Sequence, residues 1–177
     1  QREVGLNIGE PPTTKGYTPS LYPSLSKLLE RAGNFEGQGS ITGIYTVLVE
    51  GDDMDDPVAD TVRSIVDGHI VLSRSLAEQG QFPAVDILQS LSRVMGRITS
   101  KEHEQAALGL KRLLGLYRES EDLINVGAYK AGTNAEIDRA IDCYKDLKNF
   151  FRQNLDERSP YLESIHELMS IWMRHSG

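Results

Sequence analysis

Few residues in this chain have types and spacings that could do chemistry. Arg93 stands in Ser90-Leu-Ser-Arg-Val-Met95, and its planar, permanently charged fork suits it to phosphate or carboxylate oxygens. From spacing alone, a surface arginine or an ion pair at a domain junction comes before a catalytic role. Phe82-Pro83 reads as a buried turn aromatic. The run Asp52-Asp53-Met54-Asp55-Asp56 is acidic enough to suggest a divalent ion, but it lacks the alternating ligands, central Gly and distal Glu of a calcium loop. Asp56, followed by Pro57, is better placed as a helix N-cap, which leaves Asp52, Asp53 and Asp55 for water or a basic partner.

Other chemistries find no support. A phosphate cradle needs a glycine-rich loop ending in Gly-Lys-Ser/Thr between a strand and a helix. Thr13-Thr14-Lys15-Gly16 has the letters in the wrong order and no strand before it. His69, His103, His166 and His175 lack metal-ligand spacing, so no metal site is expected. No glycine-flanked serine elbow occurs. The single cysteine, Cys143, shares a helical pattern with Ile137, Ala140, Ile141 and Tyr144 and reads as a small packing residue.

The elements that must position these residues fall into two groups. Residues 1–35 hold four of the seven prolines, and Gly9–Gly16 reads as an ordered loop before a helix with Leu21, Leu25, Leu28 and Leu29 on one face. Residues 40–49 are apolar on both alternating faces, which predicts a strand inside a parallel or mostly parallel sheet covered by helices. A helix from Pro57 to about Val66, a strand over 69–73 and a short helix ending at Gly80 complete an α/β alternation. Beyond about residue 98 only helical periodicity remains. Ala106, Ala107, Leu110, Leu113, Leu114 and Tyr117 mark one helix. Thr133-Asn-Ala-Glu136 reads as a capping box opening a second, with Ile137, Ile141, Tyr144, Leu147 and Phe151 on its buried side, and Ser159-Pro160 starts a third. The fold class is therefore α/β then all-α, with a boundary near residue 98 (1–98 and 99–177).

The 177 residues suffice for one compact domain, or a truncated one plus a small second. A net charge of −7 argues against a nucleic-acid partner, and no apolar run is long enough to span a membrane. No secretory signal opens the chain, so the cytoplasm is the expected location, with peripheral membrane association at most. The opening Gln1-Arg-Glu-Val4, with no methionine and no preceding strand, suggests part of something longer.

Taken in order, Gly9-Glu-Pro-Pro-Thr-Thr-Lys-Gly-Tyr-Thr-Pro-Ser20, Leu28-Leu-Glu-Arg-Ala-Gly33, Gly39-Ser-Ile-Thr42, Glu50-Gly-Asp-Asp-Met54, Asp67-Gly-His-Ile-Val-Leu-Ser-Arg74, Phe82-Pro-Ala-Val-Asp86 and Ser92-Arg-Val-Met95 resemble the flagellum-specific type III export ATPases. Their injectisome relatives share most of these motifs, and the rotary ATP synthase subunits share a looser version. The resemblance covers residues 1 to about 155 and implies the C-terminal half of a RecA-like nucleotide-binding domain followed by a small helical bundle. It places the phosphate loop, the catalytic glutamate and the magnesium-associated aspartate before Gln1.

The same resemblance implies roles for the residues above. Arg93 matches the arginine finger offered to a neighbouring subunit's γ-phosphate. Phe82 matches the aromatic that stacks on adenine, and Phe150 falls near a second adenine-side aromatic. Asp52, Asp53 and Asp55 match the loop that touches a central stalk protein. The implied whole protein hydrolyses ATP with Mg2+ as a homohexamer to energise flagellar export, its partners including export chaperones with their substrates and the export gate. The 177 residues alone are expected to be inactive and to hold no nucleotide tightly. The acidic patch of rotary catalytic subunits is absent near Asn125–Gly132, which favours the export branch. An injectisome ATPase or a rotary subunit is the alternative within the class, and a non-catalytic docking module for chaperones or stalk protein is the alternative outside it.

Overall fold

A computed structural model of the chain describes residues 1–37 and 39–177, and of Asp52 the backbone alone. The fold divides into two compact units, Gln1–His69 and Ile70–Gly177.

The first unit opens with helix α1 (Arg2–Asn7). Gly5 is buried there against the fully buried Thr18, and a Cβ on Gly5 would lie 2.4 Å from Thr18 Oγ1, so only glycine permits this approach. The proline-rich loop is ordered by local bonds. Glu10 Oε2 accepts the Ser20 N–H at 3.0 Å, and Tyr17 O accepts Thr13 Oγ1 at 2.7 Å. Helix α2 (Leu21–Leu29) buries Leu29 and packs against α3 (Pro57–Ile65), which contributes Ala59 and Val62. Asp56 caps α3 as expected, accepting the N–H groups of Val58 at 2.9 Å and Ala59 at 3.3 Å.

The long strand expected over residues 40–49 is corrected. Only β2 (Ser40–Ile41) forms, paired antiparallel with β1 (Gly33–Asn34) in a hairpin. Residues 42–49 have no ladder partner among the described residues, and Ile44 and Leu48 are each 93% exposed. β-propensity is a preference for a pleated, half-buried surface, so it is not realised where no neighbouring strand supplies one.

β3 (Gly68–Leu72), whose last three residues belong to the second unit, pairs with β4 (Val85–Ser92), and α4 (Arg74–Glu78) lies between them in sequence. β4 is the longest strand among the described residues, yet Asp86, Gln89, Ser90 and Ser92 break its apolar pattern and hide it from sequence reading. A short helix α5 (Met95–Ile98) leads into the bundle of α6 (Lys101–Asn125), α7 (Ala135–Phe150) and α8 (Tyr161–His175). Ser100 caps α6 by accepting the His103 N–H at 3.2 Å. The cap of α7 is Asn134 rather than Thr133: its Oδ1 accepts Glu136 N–H at 2.9 Å, while Thr133 Oγ1 donates back to Lys130 O. An asparagine in extended backbone reaches the second and third N–H groups directly.

The bundle core joins Leu110, Leu113 and Leu114 of α6, Ala140, Cys143 and Leu147 of α7, and Ile171 of α8. The expected stripe on α7 is shifted. Small residues, Ala140 and Cys143, are fully buried with Leu147, while Tyr144 packs against that core partly buried, its ring stacked on Tyr117 at 3.7 Å between centroids. Ile87 and Leu88 of β4 pack against this core, tying the strand to the helices.

Candidate functional site

Arg93 follows β4 directly and is exposed. Ligand sites of α/β proteins lie off the ends of sheet strands, so the backbone leading to Arg93 decides where its guanidinium can reach. That backbone is fixed from three sides. Asp86 Oδ1 accepts the N–H groups of Leu88 at 2.9 Å and Gln89 at 3.1 Å. Ser90 Oγ donates to Asp86 O at 2.6 Å and accepts the Val71 N–H of β3 at 3.0 Å. From the bundle, Lys111 Nζ donates to Ser90 O at 2.7 Å.

Phe82 begins the turn before β4, with a cis Phe82–Pro83 bond. Phe82 is 58% exposed, which corrects the reading of a buried turn aromatic. Phe82 O accepts the Gln153 N–H at 2.9 Å, and Arg152 Nη2 donates to Gly80 O at 3.4 Å. The chain just after α7 is thereby joined to the 80–83 turn. Between them lies a groove of about 320 Å³ whose lining includes Pro83, Phe150, Phe151, Arg152 and Gln153. Phe150 is half-buried beside Phe151, their centroids 5.8 Å apart and their planes tilted by 58°. Phe150 and Pro83, the residue after Phe82, line this groove, whose wall mixes apolar side chains with polar and acidic ones, Glu157 and Glu167 among them.

The acidic loop belongs to the first unit, and it has an internal cation. Lys15 Nζ lies 2.6 Å from Asp53 Oδ2 and 3.2 Å from Asp56 Oδ2. Lys15 sits at φ 54°, a left-handed conformation costly for a side-chain-bearing residue, inside the turn Thr14–Gly16. Its hydrogen bonds to Asp53 and Asp56 raise the ammonium above its ordinary range. The same bond from Lys15, with the Asp55 N–H, lowers Asp53. At Asp56 burial works against ionisation, but bonds from Lys15, Ala59 N–H and Val58 N–H outweigh it and the carboxyl is lowered. Asp55 is exposed; the side chain of Asp52 lies outside the described residues. Sequence reading missed Lys15, because a contact between residues 38 positions apart leaves no periodic signal. Lys111 was missed for the same reason.

Among the described residues no group of three or more His, Cys, Asp and Glu side chains could hold a metal ion, and no helix is long and apolar enough to cross a membrane.

Comparison with known proteins decides the family. The family model described as "ATP synthase alpha/beta family, nucleotide-binding domain" matches residues 1–92. The chain belongs to the ATP synthase alpha/beta family. A second model, "T3SS EscN ATPase C-terminal domain", matches residues 99–170. The flagellum-specific ATP synthase of Bacillus subtilis (strain 168) is 58% identical over 171 residues, covering 97% of this chain and 39% of that protein. The assembled ATPase EscN from the enteropathogenic E. coli type III secretion system superposes with a TM-score of 0.91 at 48% identity, over 97% of this chain and 41% of that one. EscN in complex with its central stalk EscO gives a TM-score of 0.83 at 46% identity, over 97% and 40% of the two chains. This member of the ATP synthase alpha/beta family thus spans about two-fifths of the relatives it matches. Its architecture is that of a nucleotide-binding α/β domain followed by helices.

Proposed function

We propose that this chain is part of an ATP-hydrolysing motor that energises flagellar protein export, and that Arg93 is its arginine finger. The observation that carries the reading is the position of Arg93 directly after β4, at the junction between the nucleotide-binding family match, which ends at residue 92, and the EscN-type helical match, which begins at residue 99. In this reading residues 1–98 form the C-terminal half of a RecA-like domain and residues 99–177 a helical domain. The complete protein works in the cytoplasm as a homohexamer, and Arg93 of one subunit reaches the γ-phosphate held by its neighbour.

ATP with Mg2+ is the substrate of the complete protein. Arginine suits the finger role because its fixed charge and paired donors stabilise the oxygens of a transferring phosphoryl group, an effect worth about 10³–10⁵ in rate. Phe82 and Phe150 supply the adenine side of the site, a reading supported by the place of Phe150 in the groove beside the 80–83 turn. Asp53 and Asp55, with Asp52, face a central stalk protein, a reading supported by the relative solved with its stalk. The helical domain meets export chaperones with their substrates and the export gate. The match to EscN gives an injectisome ATPase as the second reading.

The deciding experiment uses the full-length protein. Arg93→Ala should remove most ATP turnover while ATP binding, read with a fluorescent analogue, stays near wild type. Unchanged turnover would remove Arg93 from the finger role.

A further inference from the structure

We infer that Lys111, on the helical bundle, is a positioning residue for Arg93. The inference rests on the finger role proposed for Arg93. Lys111 lies on α6 and is half-buried, and its ammonium donates to the carbonyl of Ser90 at 2.7 Å across 21 residues of sequence. Ser90 lies in β4, three residues before Arg93. Its hydroxyl bonds Asp86 O within the strand and receives the Val71 N–H from β3. Its carbonyl is held by Lys111.

A partly buried carbonyl needs a partner, and an ionised donor makes a stronger bond than a neutral one. The lysine stem also belongs to a rigid support. α6 is a 25-residue helix whose Leu110, Leu113 and Leu114 are core residues, so Lys111 emerges from a stretch anchored in the bundle core. Ile87 and Leu88 of β4 pack on that same core. The strand end is therefore aimed by the bundle rather than by the sheet alone. Three residues on, the guanidinium of Arg93 sits at the tip of a long side chain, where a small rotation of the strand end becomes a larger displacement. Reacting groups tolerate little of that, since a shift of about 1 Å can cost roughly 100-fold in rate.

Full-length protein carrying Lys111→Met keeps the apolar stem and loses the donor. It should turn over ATP about 10- to 100-fold more slowly with ATP affinity near wild type, and Lys111→Arg should recover most of the rate. In the Arg93→Ala background, Lys111→Met should add little further loss, because a residue that acts through Arg93 has nothing left to position. A full Lys111→Met effect in that background, or no effect in the wild-type one, overturns the inference. Arg93→Ala tested alone separates the two ideas: normal turnover there overturns the finger reading and with it the role of Lys111. Amide exchange of Leu91–Val94 in the 177-residue chain gives a readout without turnover. It should accelerate with Lys111→Met and remain near wild type with Lys111→Arg; unaltered exchange with Lys111→Met counts against the inference.

Discussion

Lys15 Nζ lies 2.6 Å from Asp53 Oδ2, joining the proline-rich loop to the acidic loop 38 residues later. A left-handed lysine is therefore held in place by the two carboxylates it neutralises, Asp53 and Asp56.

That ion pair has a defined pH window. Asp53 and Asp56 have lowered pKa values in the fold, so their contribution is present above the unfolded carboxylate value of about 4 and is lost as pH falls through the lowered ones. Lys15 has a raised value, so its contribution is complete below the unfolded value of about 10.4 and is lost as pH rises through the raised one. Lys15→Met should accelerate amide exchange across residues 50–56 between those limits and make no difference below them. Added salt should shrink the effect, because Lys15 and Asp53 are both partly exposed.

Gly109 faces the indole of Trp172, and a Cβ there would lie 2.2 Å from the Trp172 ring. Alanine gains about 1 kcal/mol of helix propensity, but overpacking against a rigid ring costs about 1–3 kcal/mol. Gly109→Ala should therefore lower the melting temperature of the chain, and a smaller side chain at 172, as in Trp172→Leu, should relieve the clash. A raised melting temperature for Gly109→Ala alone would show that α8 moves aside freely.

Cys143 is fully buried in the bundle core, and burial pushes its thiol up to about 11, with Asp146 adding to the rise. The thiolate is the reactive form, so native protein at pH 8 should resist an aromatic disulfide reagent, with labelling becoming fast only in denaturant. Rapid native labelling would mean that α7 opens without global unfolding.

Phe82 offers an exposed ring on a turn whose carbonyl is held by Gln153 N–H. In full-length protein Phe82→Ala should raise the KM for ATP by about 10-fold, from a stacking loss of about 1–1.5 kcal/mol, while kcat changes little. Phe82→Tyr should restore the wild-type KM. An unchanged KM in Phe82→Ala would move the adenine side away from this turn.

Local signals made much of this chain legible before folding is considered. Asp56-Pro57 announces the start of α3, because a cap and its helix are neighbours in sequence. The apolar spacing of Leu110, Leu113 and Leu114 announces the buried face of α6 in the same way. Cys143 follows from its place in a helical stripe. The strand expected over 40–49 failed, because strand formation depends on a partner as well as on β-branched composition. β4 was hidden by its own polar residues, of which Ser90 finds a partner, the Val71 N–H, only in the folded chain.

By itself, then, the sequence determined the order and type of most elements, the cap of α3 and the family, since each is written in short runs of adjacent residues. Tertiary structure alone decided that Lys15 neutralises the acidic loop, that Gln153 ties the Phe82 turn to the end of α7, and that Lys111 holds the strand end before Arg93. Each of these bonds joins residues far apart in the chain. Their partners become neighbours only after the core has packed, and no periodicity in the sequence records them.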